Sequence, residues 1–227
     1  MSDLNASIAQ SRTAILERIA AAAKAGGRPA NAVTLVAVSK QQPDERIDAM
    51  LATGQCVFGE NRVQEAEARW AHRREGLPDL ELRLIGPLQT NKAEAACALF
   101  DVIETLDRER LAAALAKAMV KAGRCPRLYV QVNTGRETQK SGIDPAEAAT
   151  FVARCRTEHG LEIEGLMCIP PEAEPASLHF ALLAKLAREC GVEELSMGMS
   201  ADYPLAIRLG ATSVRVGSAL FGARPTA

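Results

Sequence analysis

The chain of 227 residues is 48% hydrophobic and 24% charged, enough apolar material for one substantial core without division into domains. Its formal net charge is -1 and no long run of either sign occurs, which excludes the electrostatic footprint of a nucleic-acid or membrane-surface binder. No apolar run reaches transmembrane length, and the opening MSDLNASIAQSR is too polar for a secretion signal, so the cytosol is the predicted compartment.

The first predicted element is a helix. Leu4, Ile8, Ile15 and Ile19 recur at spacings that share one helical face, and Gly26, Gly27 and Pro29 end it. From residue 33 onward a unit repeats: a short apolar, β-branched segment, a few small or polar residues, then a helix-length amphipathic stretch. The apolar segments fall at 33–38, 56–58, 83–87, 101–105, 127–132, 162–168, 194–198 and 213–217, eight in all. The clearest intervening helix follows Asp107, which reads as its N-cap; Leu111, Leu115 and Met119 recur every fourth residue along it. Another begins near Asp144 and Pro145 and carries Phe151 and Val152, and His179 to Leu186 form a third with Phe180 and Leu183 inward. Cys56, Cys97, Cys125, Cys155, Cys168 and Cys190 show no CxxC pair and no neighbouring histidine cluster. They read as reduced, mostly buried small hydrophobes, with no metal site.

Eight strands joined by crossover helices predict parallel pairing, and eight is the number that closes a (β/α)8 barrel. An open doubly wound sheet is the alternative, and the missing GxGxxG turn after the first strand weighs against it. The predicted fold class is α/β, a TIM-type barrel with an additional N-terminal helix. Too few residues follow Gly217 for a full eighth helix, and the N-terminal helix is expected to cover that gap.

In such a barrel the C-terminal strand ends share one mouth, where active sites are built. The predicted ring holds Ser39 and Lys40, then Gly59, Glu60 and Asn61, residues 88–92, Thr105, Asn133 and Thr134, residues 167–170 and 198–200, and finally Gly217 and Ser218. Lys40 ends the stretch VTLVAVSK on the side of Val36 and Val38, so apolar neighbours flank its stem. A desolvated lysine loses its proton more readily and attacks a carbonyl, which is Schiff-base chemistry with a substrate or pyridoxal phosphate as the aldehyde. The plainer alternative is a snorkelling lysine that opens the loop QQPDE.

The loops after strands seven and eight, LSMGMSADYPLAIRLG and VRVGSALFGAR, put Gly198, Ser200, Gly217 and Ser218 where barrels of this type bind phosphate. Ser200 is also positioned to cap the following helix. Ordinary turn chemistry, with Gly for positive φ and Ser for capping, selects the same residue types. On strand eight Val214 and Val216 alternate with Arg215, which points inward if the valines face the helices. Its partner is then Glu60, Glu104 or a ligand. Asn61, Asn133 and Lys140 can orient a ligand or simply hold loops.

At these residues the chain closely resembles the pyridoxal phosphate homeostasis proteins, single-domain relatives of the alanine racemase barrel. The matching stretches are LVAVSK at 35–40, FGENRVQE at 58–65, IGPLQTNK at 85–92, KSGI at 140–143, GLMCIP at 165–170, LSMGMSADY at 195–203 and VRVGSALFGAR at 214–224. They run in the family's order along nearly the whole chain. The resemblance implies one pyridoxal phosphate-binding barrel domain over residues 1–227. It implies that Lys40 carries the cofactor as a Schiff base, that Ser200, Gly217 and Ser218 hold its phosphate, and that Asn61 and Arg215 lie beside its ring. Lys140 matches a lysine near the site. Many relatives have a histidine where this chain has Arg83, so no role for that histidine carries over. The implied function is to bind and buffer intracellular pyridoxal 5'-phosphate and deliver it to dependent apoenzymes, as a monomer without catalytic residues. The alternatives are a pyridoxal phosphate-dependent amino-acid racemase of fold type III and a cofactor-free Schiff-base enzyme of the aldolase kind.

Overall fold

A computed structural model describes residues 3–222. Eight parallel strands close into a barrel in sequence order: β1 Thr34–Val38, β2 Val57–Glu60, β3 Glu81–Leu84, β4 Val102–Leu106, β5 Arg127–Val132, β6 Ile163–Cys168, β7 Glu194–Ser196 and β8 Ser213–Val216. The helices are α1 Asp3–Ala25, α2 Asp44–Leu51, α3 Val63–Arg74, α4 Ala93–Leu99, α5 Glu109–Ala122, α6 Ala148–His159, α7 Ala176–Cys190, α8 Tyr203–Arg208 and α9 Ser218–Phe221. This is the TIM-type barrel that the alternation predicts. The predicted stretch 214–224 runs past the described residues at Ala223 and Arg224.

Period-2 alternation divides each strand between two environments. Leu35, Ala37, Phe58, Leu82, Ile103 and Val214 face outward and join the apolar layer beneath the helices. On α3, Trp70 packs against Phe58 with ring centroids 4.8 Å apart and the planes tilted by 49°. Fully burying a side chain of this size stabilises the fold by about 1.5–3 kcal/mol. The inward set includes the apolar Val36 and Ile85, but also Glu81, Arg83, Glu104 and Arg215, which are joined by ion pairs. The polar interior explains the one strand placed two residues late from the sequence. Glu81 begins β3, and its carboxylate meets Arg83 Nε and Arg127 Nη2, each at 2.6 Å, so a residue that reads as loop belongs to the sheet.

α1 packs against α2, α8 and α9, beside the short α9 that follows β8. Ile8, Ile15, Ile19, Ala22 and Ala23 form its buried face, whereas Leu4 is 36% exposed and lies outside it. Arg28, just past α1, ties this helix to the barrel by donating from Nη1 to the Ala211 carbonyl at 2.6 Å.

Two predicted caps and one helix start fall elsewhere. α5 begins at Glu109 with Arg108 in the N-cap position; Asp107 instead accepts from Arg108 Nη1 at 2.5 Å. Ser200 does not cap α8, because Asp202 takes the N-cap position and accepts from Met199 N at 2.7 Å. α6 starts at Ala148 rather than near Asp144, since Asp144 Oδ1 accepts from Ala146 N at 2.8 Å and holds a turn there.

Candidate functional site

The mouth is built from strand register. Val36 is paired with Arg215, Ala37 with Val216, and Val38 with Gly59. Half-buried Lys40 lies two residues past the end of β1, and the same register continued beyond the strands carries it level with Asn61 on the β2 side and past Gly217 and Ser218 on the β8 side. The next residue, Gln41, has φ 58, a left-handed conformation that a non-glycine residue adopts at a cost. It turns the chain sharply, so Lys40 sits at the apex of a tight loop.

That loop is held from behind. Arg69 on α3 donates to the Ser39 carbonyl at 3.1 Å and to the Gln42 carbonyl at 2.9 Å. Its guanidinium also meets the fully buried Glu60 at 2.9 Å. Glu60 Oε1 accepts from Ser39 Oγ at 2.7 Å and from Trp70 Nε1 at 3.0 Å as well. Glu60 therefore points outward, between barrel and helix, and is neither in the mouth ring nor the partner of Arg215. Arg69 and Trp70 carry no motif that marks them. Only the packing of α3 back onto β2, after the FGENRVQE stretch that joins them, brings these two side chains to the lysine loop.

The loops after β7 and β8 meet, and Ser218 Oγ donates to Ser200 Oγ at 3.3 Å. Gly198 lets the loop after β7 pack against α8: it has φ 93, and a Cβ there would come within 2.6 Å of the Ala206 Cβ. In α9 the earliest backbone donors bonded within the helix are Leu220 N and Phe221 N, both to the Gly217 carbonyl. The N–H groups of Ser218 and Ala219 remain outside that ladder.

Asn61 lies against the loop after β3. A Cβ on Gly86 would stand 2.3 Å from the Asn61 carbonyl oxygen, so only glycine allows the two backbones this close. Asn61 Oδ1 is buried and, among the described residues, accepts no hydrogen bond. A cleft of about 590 Å³ runs outward from it past Val63, Pro87, Leu88, Gln89 and Lys92. Asn133 serves its own loop, donating to the Glu137 carbonyl at 2.8 Å. Lys140 is paired with Glu137 at 2.6 Å and reaches the Pro170 carbonyl at 3.4 Å, beside the ends of β5 and β6.

Arg215 does point into the barrel and is only 4% exposed. It donates from Nη1 to Ser196 Oγ at 2.6 Å and from Nη2 to the Cys168 carbonyl at 2.8 Å, with Glu104 Oε2 at 3.9 Å. Ser196, Cys168 and Glu104 are thus part of the arginine's setting, which the sequence left open between Glu60, Glu104 and a ligand. Burial pushes the Cys168 thiol up to about 12, against the pull of Arg215. Away from the mouth, Glu109, Glu158 and His159 bring ligand atoms within 4.8 Å of one another. Arg154 already bridges the two carboxylates, at 3.2 and 3.3 Å.

The alanine racemase N-terminal domain family matches residues 5–225. A pyridoxal phosphate homeostasis protein of Vibrio cholerae is 38% identical over 228 residues, spanning 96% of this chain and 97% of its own. Among solved structures, PipY of Synechococcus elongatus with PLP bound is 37% identical, superposes with TM-score 0.81, and is covered over 95% of this chain and 100% of that one. An alanine racemase of Bartonella henselae, 14% identical, shares the fold at TM-score 0.72 over 98% of this chain and 61% of that one. The chain belongs to the alanine racemase N-terminal domain family and, within it, to the pyridoxal phosphate homeostasis proteins.

Proposed function

We propose that the protein binds pyridoxal 5'-phosphate at the barrel mouth and serves cytosolic cofactor homeostasis, with Lys40 as the covalent anchor. The observation that carries this reading is the joining of the Ser200 and Ser218 loops at the end of the barrel toward which the β1 register, continued past Val38, carries Lys40 and Asn61. The residues present suit the cofactor. Asn61 Oδ1 is a buried acceptor still lacking a donor, and the Ser200 and Ser218 hydroxyls with the adjoining N–H groups form a donor set for a phosphate. Ser200, Gly217 and Ser218 would hold that end, and Asn61 and Arg215 would flank the ring. Homeostasis proteins and a PLP-bound structure among the relatives support the same reading.

When bound, the cofactor supplies an aldehyde for an amine and an electron-accepting ring. The chain's own residues favour holding it over using it. Arg215 stays cationic and can only donate hydrogen bonds. It therefore cannot act as the carboxylate that keeps a pyridine nitrogen protonated. The proposed role is release to dependent apoenzymes by a monomer.

The test is the visible absorption of the purified chain with pyridoxal phosphate, before and after borohydride, followed by reactivation of an apoenzyme. A bound chromophore, its transfer, and background loss of optical rotation across a panel of amino acids are expected. Robust turnover abolished by Lys40→Ala would overturn the reading in favour of a racemase.

A further inference from the structure

One carboxylate inside the barrel is shared by two arginines. Glu104 on β4 is fully buried; its Oε1 accepts from Arg83 Nη1 on β3 at 3.2 Å. Across the barrel its Oε2 accepts from Ser196 Oγ on β7 at 2.5 Å, and that hydroxyl in turn accepts from Arg215 Nη1 at 2.6 Å. A serine hydroxyl has a single proton. Because Ser196 gives it to Glu104, its lone pairs face Arg215, and the direction of the chain is set. The direct separation of Arg215 Nη1 from Glu104 Oε2 is 3.9 Å, longer than the Arg83 contact.

Arg83 is itself 3% exposed and anchored by Glu81 at 2.6 Å. Burial opposes its charge, but Glu104 and Glu81 outweigh that and hold its pKa above the usual arginine value. It is a fixed cation at one end of the carboxylate. Without it, Oε1 of a buried anion would lack its cation, and the nearest replacement is the guanidinium of Arg215. Closing that gap would draw Arg215 away from Ser196 and from the Cys168 carbonyl.

We propose that Arg83 is a positioning residue for cofactor binding: by competing for Glu104 it keeps Arg215 seated on Ser196 and the Cys168 carbonyl, in the posture that meets the pyridoxal ring. This rests on the function proposed above.

The experiment compares the unmutated chain with Arg83→Met, Arg83→Lys, Glu104→Gln and the double variant Arg83→Met with Glu104→Gln. Each is titrated with pyridoxal 5'-phosphate, reading its dissociation constant and the absorption maximum of the bound form, with far-ultraviolet circular dichroism as the check on folding. Arg83→Met is expected to weaken binding about fivefold or more and to shift the absorption maximum, while Arg83→Lys stays near the unmutated values. The double variant is expected to recover much of both readouts, since a neutral amide no longer pulls on Arg215. A purely structural role would lower stability and weaken binding without shifting the absorption maximum of the bound form, which reports the groups set against the ring. If Arg83→Met does not fold, the same comparison is made between Glu104→Gln and the double variant, where loss of Arg83 is expected to change neither readout. An unchanged spectrum and affinity within about twofold in folded Arg83→Met, or a double variant as perturbed as that single one, would overturn the inference. Absence of any bound chromophore in the unmutated chain would overturn the proposed function itself, and this inference with it.

Discussion

Arg69 and Glu60 form an ion pair at 2.9 Å that stands behind the Lys40 loop, on the helix side of the barrel wall. The same guanidinium bonds the carbonyls at both ends of the loop, Ser39 and Gln42. One side chain therefore both neutralises a buried carboxylate and fixes the turn at the lysine. Arg69→Met is expected to lower stability by about 3–5 kcal/mol, the cost of stripping one partner from a buried pair, and to weaken cofactor binding. Adding Glu60→Leu should restore much of the stability in urea denaturation. Binding should stay weak, because the two carbonyls still lack their donor; recovery of full affinity in the double variant would count against the clamp.

Lys40 itself is tested by mass. After borohydride reduction of the loaded protein and proteolysis, the added cofactor mass is expected on the peptide containing Lys40. Lys92 borders the Asn61 cleft and Lys140 is engaged with Glu137; finding the label mainly on either would refute Lys40 as the anchor.

The joined loops predict graded losses. Ser200→Ala removes one hydroxyl, and a hydrogen bond to a charged group is worth about 1.5–3 kcal/mol, so binding should weaken without vanishing. Adding Gly217→Val should do more. A Cβ at 217 fits, 3.4 Å from Val38, so the branched side chain alters the space beside the Ser218 backbone more than the fold. Unchanged affinity for pyridoxal phosphate in this double variant would remove the phosphate site from these loops.

The cysteines should separate by reactivity. Cys56 and Cys125 are exposed, and the other four are buried. Burial pushes the Cys97 thiol up to about 11 and those of Cys155 and Cys168 up to about 12. The thiolate is the reactive form, and a raised pKa leaves almost none of it at pH 8. A chromogenic disulfide reagent is expected to titrate Cys56 and Cys125 quickly in the native protein and the rest only in denaturant. Rapid labelling of Cys168 in the native protein would contradict its burial.

What the sequence determined by itself was set by short-range periodicity. β-branched runs separated by amphipathic stretches specify eight parallel strands, and alternation along SVRVG turns Arg215 inward, because successive strand side chains must face opposite sides. The same alternation, applied to Gly59, Glu60 and Asn61, already assigns Glu60 to the outer face. Of the three, Glu60 accordingly bonds Arg69 and Trp70 on α3. The N-cap positions of α5 and α8 fall one and two residues later than local signals point, because the Asp107 carboxylate is taken by Arg108 and Asp202 occupies the cap of α8, and local signals do not rank such partners. Only the tertiary structure decided what holds the functional side chains in place. Glu104 and Ser196 are 92 residues apart in sequence, and Arg69 reaches back to Ser39 across 30. Such contacts depend on barrel closure and on the angle at which α3 lies over β2, and no local propensity encodes either. Buried charges make these partners decisive, since a carboxylate removed from water must find its cation wherever the fold supplies one.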